Sequence, residues 1–326
     1  MRKLLGRIKT GLLTVRGKLI ANTSYVIRSY GKRFKKYAFT DCECVSPAQF
    51  EASIIRLYHT IEKGLAYEDY RPGFGRDNIE KLIRSLDQYH DRGYDTDTFF
   101  YKTALSCLHA YVKKNKEAGH EDTELEKRIG SLCGEANDCG GSFYYHIPDN
   151  TENMTYYEVM HNRHSIRHFA GSPVETDEIK KAIQLAQHTP SACNRQGWRT
   201  RIISDRKTIE SVLANQNGNR GFGQEIDKLL LVTADLRAQQ KSREVFQAFI
   251  DGGMYAESIL NALFYYGIGS VPLSASLTVL QEKKVRGLLK IDDAEVLIMF
   301  IGTGRYPDEK CLTTKSMRKP AEIEVI

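Results

Sequence analysis

"TPSACNRQGW", residues Thr189–Trp198, follows an amphipathic helical pattern and precedes an apolar run. Its ten positions hold a proline, a serine, a thiol, two side-chain amides and the chain's only tryptophan. Such crowding suits either a hydrogen-bonded turn or a wall that reads a flat, polar-edged ligand, because Asn194 and Gln196 each present a donor and an acceptor. Trp198 reads as core packing at the start of the next strand, in preference to ligand stacking. Cys193 reads as a small space-filler.

Helices and strands alternate on both sides of this stretch. Thr155 and Glu158 form a capping box for a helix ending near Arg163. Thr176, with Asp177 and Glu178 in the first turn, begins another that carries Ile179, Ala182, Ile183 and Ala186. "WRTRIIS", "KLLLVTA", "SVPLSAS" and "EVLIMFIG" are strand candidates. Between the second and third lies a long helix with Phe246, Phe249, Ile250, Ile259, Leu260 and Leu263. It is apolar around much of its girth, which predicts burial in a core or at a subunit interface. Gly252 and Gly253 inside it cost about 1 kcal/mol each relative to alanine, so another backbone or a flat ligand is expected close by. The "NQNGNRGFGQE" loop, Asn215–Glu225, is either a lid with Phe222 at its tip or a connector.

The first half of the chain is different. Eleven Lys/Arg and no Asp/Glu occur up to residue 39, whereas the remainder carries 36 basic and 41 acidic residues. Residues 1–40 are therefore a basic arm. Leu4, Leu5, Ile8, Leu12, Val15 and Leu19 recur at helical spacing within it, as in an interfacial helix lying on anionic lipid. A helix packed on the body, a disordered leader and a nucleic-acid arm are the alternatives, and no nucleic-acid partner is expected. Residues 41–145 read as all-helical. "SPAQ" opens the first helix, with Ser46 as cap, Pro47 in the first helical position and Gln49 as capping-box partner. Phe50, Ile54, Leu57, Tyr58, Ile61 and Leu65 form its apolar stripe, with His59, Glu62 and Lys63 opposite. A second helix takes Asp77 as its cap, a third runs through Phe100–Tyr111, and a shorter one holds Leu125, Ile129 and Leu132. "CGEANDCGGS" and the loop after it, ending near Asn150, mark the boundary to a second domain over 151–326.

Composition narrows the class. No apolar run approaches the ~18 residues of a spanning helix. Seven cysteines, an odd number without paired CxxC units, favour reduced thiols and a cytoplasmic setting, with the arm at the inner membrane face as an option. "CEC" at Cys42–Cys44, and Cys133 with Cys139, match no common zinc spacing, so no metal is assigned.

Two basic clusters carry anion chemistry. "RHSIR", Arg163–Arg167, offers two guanidiniums and a serine for a phosphate, and "TTKSMRKP" offers Lys315, Ser316 and Arg318. With "TPSACNRQGW", "DGGMYAESILNALFYYGIGSVPL" and "VRGLLKIDDAEVLIMFIGTG", in this order, the region 151–326 resembles the nitroreductase family of FMN-dependent oxidoreductases. Gly197 stands where the family has proline, and "GTGRY" adds Arg305 where Gly-Tyr or Gly-His is common.

The resemblance implies an α+β fold, a nitroreductase-like sheet flanked by helices, working as a homodimer with two FMN at the interface. It assigns Arg163, Ser165 and Arg167 to phosphate and ribityl, joined by Lys315 and Arg318, with His164 acting through its backbone. Pro190, Ser191 and Asn194 approach the ring across the interface, supported by Gln196. Backbone groups at Pro272, Leu273 and Ser274 address the hydride-accepting edge. "AEIEVI" is the strand that crosses to the other protomer. The implied activity is ping-pong hydride transfer from NAD(P)H to a small nitro, quinone or enone-like substrate. A pathway-specific flavin dehydrogenase in saccharide or other biosynthesis, and a non-catalytic membrane-surface scaffold, are the alternatives. His59, Glu62 and Phe222 are the candidate substrate contacts; a solvated helix face is the first reading of His59 and Glu62.

Overall fold

The computed structural model describes residues 2–38, 44–307 and 310–326, the side chains of 2–19 excepted. In chain order the helices and strands are α1 (Arg2–Tyr37), α2 (Pro47–Leu65), α3 (Arg76–Asp91), α4 (Phe99–Glu117), α5 (Thr123–Gly130), β1 (Ser142–His146), α6 (Tyr156–Asn162) and α7 (Thr176–Ala186). There follow β2 (Trp198–Ile203), α8 (Arg206–Leu213), β3 (Lys228–Asp235), α9 (Gln247–Tyr265), β4 (Ile268–Ser274), α10 (Val279–Leu289), β5 (Glu295–Arg305) and β6 (Lys310–Thr314). The architecture is α+β, as expected. Its chain forms two compact units, one of residues 1–37 with 148–306 and one of 38–147 with 307–326.

The second unit is built on capped amphipathic helices. Ser46 Oγ accepts from Gln49 N–H at 3.4 Å while Gln49 Oε1 accepts from Ser46 N–H at 3.3 Å, which is the expected capping box. The predicted stripe Phe50, Ile54, Leu57, Tyr58, Ile61 and Leu65 is buried in one core with Ile79, Leu82, Ile83 and Leu86 of α3 and Tyr101, Leu108 and Tyr111 of α4. Helix α3 starts at Arg76 with Gly75 as its cap, at φ 68°, so Asp77 falls in the first turn and does not cap. There its carboxylate serves the positive end of the helix dipole.

The domain boundary differs from the sequence reading. Residues read as a boundary loop form β1, which pairs antiparallel with β6 from Ser142↔Thr314 to His146↔Lys310. Those ladder hydrogen bonds tie the chain's end to the helical unit, so residues 307–326 leave the expected 151–326 domain and residues 1–37 join it. "AEIEVI" forms no strand within the chain, and Ile323, Val325 and Ile326 are exposed.

The first unit holds a four-stranded antiparallel sheet in the order β2-β3-β5-β4. Strand alternation sends Leu230, Val232 and Ile301 into a core with α7 and α9, through Ile179, Ala182, Ile259 and Leu263. Trp198 belongs to that core: its ring stacks on Tyr255 at 4.6 Å, and its Nε1–H donates to Gln187 Oε1 at 3.1 Å. The capping box of Thr155 and Glu158 is present at α6. Helix α9 is buried within the single chain on part of its girth only. Ile259, Leu260 and Leu263 are buried, but Phe246, Phe249, Ile250 and Met254 are exposed along its first half. A Cβ on Gly252 would lie 2.7 Å from the Ile298 side chain, so the close approach there is from β5; Gly253 faces open space.

The basic arm is one helix, α1. Its Tyr30 ring packs 5.0 Å from Phe246, while Ile20, Ile27, Phe34 and Tyr37 stay exposed. The predicted stripe Leu4–Leu19 lies outside the described side chains, as does Cys42 of "CEC". Among the described residues no helix is long and apolar enough to cross a membrane, and no group of three His, Cys, Asp or Glu is arranged for a metal ion.

Candidate functional site

In the first unit the chain leaves α6 at Arg163, whose N–H closes the helix on Val159 O at 3.0 Å. It then runs extended beside the sheet. Ile166 N–H donates to Ser270 O at 2.9 Å, and Ala170 N–H to Arg305 O at 3.0 Å. Ala170 and Arg305 form an isolated antiparallel bridge at the end of β5. Ile166 and Phe169 are buried, which leaves Arg163, His164, Ser165 and Arg167 half-exposed on a fixed backbone. Glu225 secures the far end, accepting from Phe169 N–H at 3.0 Å and meeting His168 Nδ1 at 2.8 Å.

The Thr189–Trp198 stretch is a strained, cross-braced turn. Cys193, Asn194 and Gln196 have φ of 51°, 55° and 49°, a left-handed conformation that costs non-glycine residues roughly 1–2 kcal/mol each. Such conformations persist only where the surroundings over-determine them. Here Ser191 Oγ accepts from Gln196 N–H at 2.9 Å, and Asn194 N–H donates to Ser191 O at 2.9 Å. The Gln196 amide donates to Asn194 Oδ1 at 2.9 Å. Below the turn, buried Asp251 of α9 accepts from Ala192 N–H, with both oxygens at 3.3 Å. Arg195 pairs with Glu244 at 2.8 Å. The Gln240 N–H and Arg195 hold the Glu244 carboxyl down at about 2. With this bracing beneath, Pro190, Cys193 and Asn194 are left exposed. Asp251 and Glu244 were missed by the sequence reading, although Asp251 is one of only two carboxylates in the apolar helix α9.

At the end of β4 Leu273 is buried, Pro272 half-buried and Ser274 exposed. Ser274 O accepts from the Gln216 amide at 3.0 Å, which ties β4 to the Asn215–Glu225 loop. That loop is a connector. Asn219 Nδ2 donates to Leu213 O and Gln216 O at 2.8 and 2.7 Å, and Phe222 is only 1% exposed. Phe222 is therefore a core residue and is withdrawn as a substrate contact. Arg305 forms an ion pair with Glu178.

Lys315, Ser316 and Arg318 belong to the second unit. Lys315 N–H donates to Gly141 O at 3.0 Å, its ammonium to Asp138 O, and Arg318 Nη1 to Ser316 O at 2.8 Å. His59 and Glu62 lie in the same unit but not as an outward-facing pair. Glu62 is 0% exposed, with Oε1 accepting from Gly141 N–H at 3.2 Å and Oε2 3.1 Å from His59 Nδ1. Helical periodicity missed this because the donor that draws Glu62 inward comes from Gly141, far along the chain. His59 is about a third exposed.

Residues 160–229 match the family model described as the nitroreductase family. Over this segment the chain is similar to the nitroreductase family. The matched segment contains the Arg163–Phe169 run, the strained turn and the loop carrying Phe222. A protein of Archaeoglobus fulgidus, provisionally named NADH dehydrogenase/NAD(P)H nitroreductase, is 28% identical over 156 residues, 47% of this chain and 86% of that one. A Streptococcus pyogenes protein, provisionally named NAD(P)H nitroreductase, is 33% identical over 54 residues, 17% of this chain and 27% of that one. A solved structure from Parabacteroides distasonis, provisionally named NADH dehydrogenase/NAD(P)H nitroreductase, is 23% identical and covers 55% of this chain and 95% of its own, with a TM-score of 0.43.

Proposed function

We propose that the chain is an FMN-dependent oxidoreductase that takes hydride from NAD(P)H and delivers it, in ping-pong fashion, to a small nitro, quinone or enone-like electrophile. The observation that carries this reading is the anchored basic segment. With Ile166 and Phe169 buried and the backbone bonded to the sheet, Arg163, Ser165 and Arg167 are presented from a rigid support. Guanidinium and hydroxyl donors match the oxygens of a phosphate monoester. The exposed amide of Asn194, braced by Gln196, suits a heteroaromatic edge. The donor set fits FMN, and the relatives' names support a nicotinamide as reductant.

FMN supplies the two-electron chemistry when bound, while the protein supplies orientation and electrostatics. Arg163 and Arg167 neutralise the phosphate, Ser165 donates its hydroxyl, and His164 contributes through its backbone. Pro190, Ser191 and Asn194 would hold the ring across a homodimer interface, and backbone groups at Pro272, Leu273 and Ser274 would help to position it. The test is anaerobic. NADH or NADPH is expected to bleach the flavin of FMN-loaded protein, and a quinone or nitro acceptor to restore it. Flavin that neither nicotinamide reduces contradicts the donor assignment and favours a dedicated dehydrogenase.

The exposed Phe249, Ile250 and Met254 support a homodimer, since apolar rows of this kind are covered in obligate assemblies. Ile250→Glu is expected to convert the dimer to monomer in analytical ultracentrifugation, with FMN affinity falling in parallel.

A second reading concerns location. Ile20, Ile27, Phe34 and Tyr37 are exposed on a helix whose charged residues are all basic, which suits an anionic membrane surface at the cytoplasmic face. The full chain is expected to float with phosphatidylserine-containing vesicles, to remain behind with neutral ones, and to lose binding as salt rises. Equal flotation with both vesicle types would remove the electrostatic argument.

A further inference from the structure

The turn that carries Asn194 is braced by one length of chain, residues 235–251. Gly197 O accepts from Asp235 N–H at 2.8 Å, and a Cβ on Gly197 would lie 2.9 Å from the Ala238 side chain. Further on, Glu244 Oε2 accepts from Arg195 Nη1 and from Gln240 N–H, both at 2.8 Å. Arg195 Nε donates to Ala192 O at 3.0 Å, while Asp251 Oδ1 accepts from Ala192 N–H at 3.3 Å. Both backbone polar groups of Ala192 are thus tied to carboxylates of this length of chain, one directly and one through Arg195. The left-handed residues Cys193 and Asn194 follow at once, so the tie sits where the strain is held.

The brace needs a support of its own. Residues 236–246 contain only two single-turn 3-10 helices, Leu236–Ala238 and Ser242–Glu244, which have little stiffness alone. That support comes from the basic arm. Helix α1 lies against Ser242–Glu244, and its Tyr30 ring packs on Phe246, with centroids 5.0 Å apart. Phe246 stands between the two carboxylates, at the start of α9. The Arg195–Glu244 pair is only 17% and 20% exposed, so water does not loosen it as it does a surface pair. Arm, brace and turn all belong to the same compact unit.

We propose that Tyr30 and Phe246 are positioning residues for the Asn194 turn, so that the basic arm sets how firmly the ring of a flavin is held. This rests on the FMN reading above. Two supports then divide the work. The Arg163–Arg167 segment answers to the phosphate, and the arm-braced turn answers to the ring, which FMN and riboflavin share.

The full-length chain is titrated with FMN and with riboflavin, following flavin fluorescence, as wild type, Tyr30→Ala, Tyr30→Phe, Glu244→Gln and Tyr30→Ala/Glu244→Gln. In the same proteins without flavin, peptide mass spectrometry follows alkylation of Cys193, with Cys133 of the other unit as reference; both thiols are exposed. Tyr30→Ala is expected to weaken both flavins by one factor, roughly two- to tenfold, the range of one aromatic pair. The preference for FMN over riboflavin is expected to stay unchanged. Alkylation is expected to quicken at Cys193 and not at Cys133. Tyr30→Phe keeps the ring and is expected to behave as wild type. Glu244→Gln is expected to act in the same direction, and the double variant to lose less than the product of the single losses, because both act through one brace. Unchanged flavin affinities in Tyr30→Ala, or a loss confined to FMN, would overturn the positioning role while leaving the FMN reading intact. Equal acceleration of both thiols would mean general loosening and would overturn it too. A wild-type chain that binds neither flavin would overturn the reading and the inference together.

Discussion

Replacing Arg163 and Arg167 together by alanine is expected to weaken FMN binding at least about a hundredfold. A hydrogen bond to a charged group contributes about 1.5–3 kcal/mol, and about 1.4 kcal/mol is a factor of ten, so two lost guanidiniums bring the loss to that level. Folding is expected to survive. The buried anchors on this segment are Ile166 and Phe169, and the hydrogen bonds that hold it to the sheet are made by the backbone of Ile166 and Ala170. Flavin-fluorescence titration measures the effect, and an unchanged thermal melt separates lost recognition from lost structure. Riboflavin, which carries no phosphate, is expected to lose far less than FMN. Equal losses for the two flavins would mean that the arginines support the fold and not the phosphate.

The largest effect on stability is expected at Gly140→Ala. A Cβ there would lie 2.4 Å from Thr103 O and 2.5 Å from Cys107 N, both backbone atoms of α4. Helix backbone cannot rotate aside as a side-chain tip can, so the cost falls at the upper end of the overpacking range, about 3 kcal/mol. The Gly140 N–H is also spent, donating to Ser106 Oγ at 3.0 Å. Strand β1 begins two residues later and carries β6, so the damage extends to the backbone that leads into Lys315 and Ser316. Gly130→Ala, at a site with open space and in the same unit, is the control and is expected to change stability by no more than about 0.5 kcal/mol. Denaturant titration of the two variants distinguishes them. Equal stabilities would contradict the packing described for the junction of α4 with β1.

Local chemistry was legible from the sequence. The capping boxes at Ser46–Gln49 and Thr155–Glu158 were readable because a cap is decided by residues three apart. The four strands of the larger sheet announced themselves by apolar runs, and Trp198 by its place at the head of one. Non-local pairing was not legible. The segment Ser142–His146 looks like a boundary loop until β6, more than 160 residues away, supplies its partner. Glu62 looks solvated on a helical wheel, because the N–H that draws it inward belongs to Gly141. Phe222 sits among glycines and asparagines that suggest a mobile tip, yet Asn219 and Gln216 knit those residues into a closed connector. The carboxylates behind the strained turn, Asp251 and Glu244, escaped for the same reason. Their role depends on which backbone they meet, and that is fixed only when α9 packs beneath residues 190–196.

The proposed function requires this chain to hold a phosphorylated flavin through its basic segment. Calorimetric titration of the full chain with FMN and then with riboflavin tests it most directly. Saturable FMN binding near one per chain is expected, clearly tighter than riboflavin, with the difference abolished in the Arg163→Ala/Arg167→Ala variant. No heat of binding from FMN, or equal affinity for the two flavins in the wild-type chain, would contradict it.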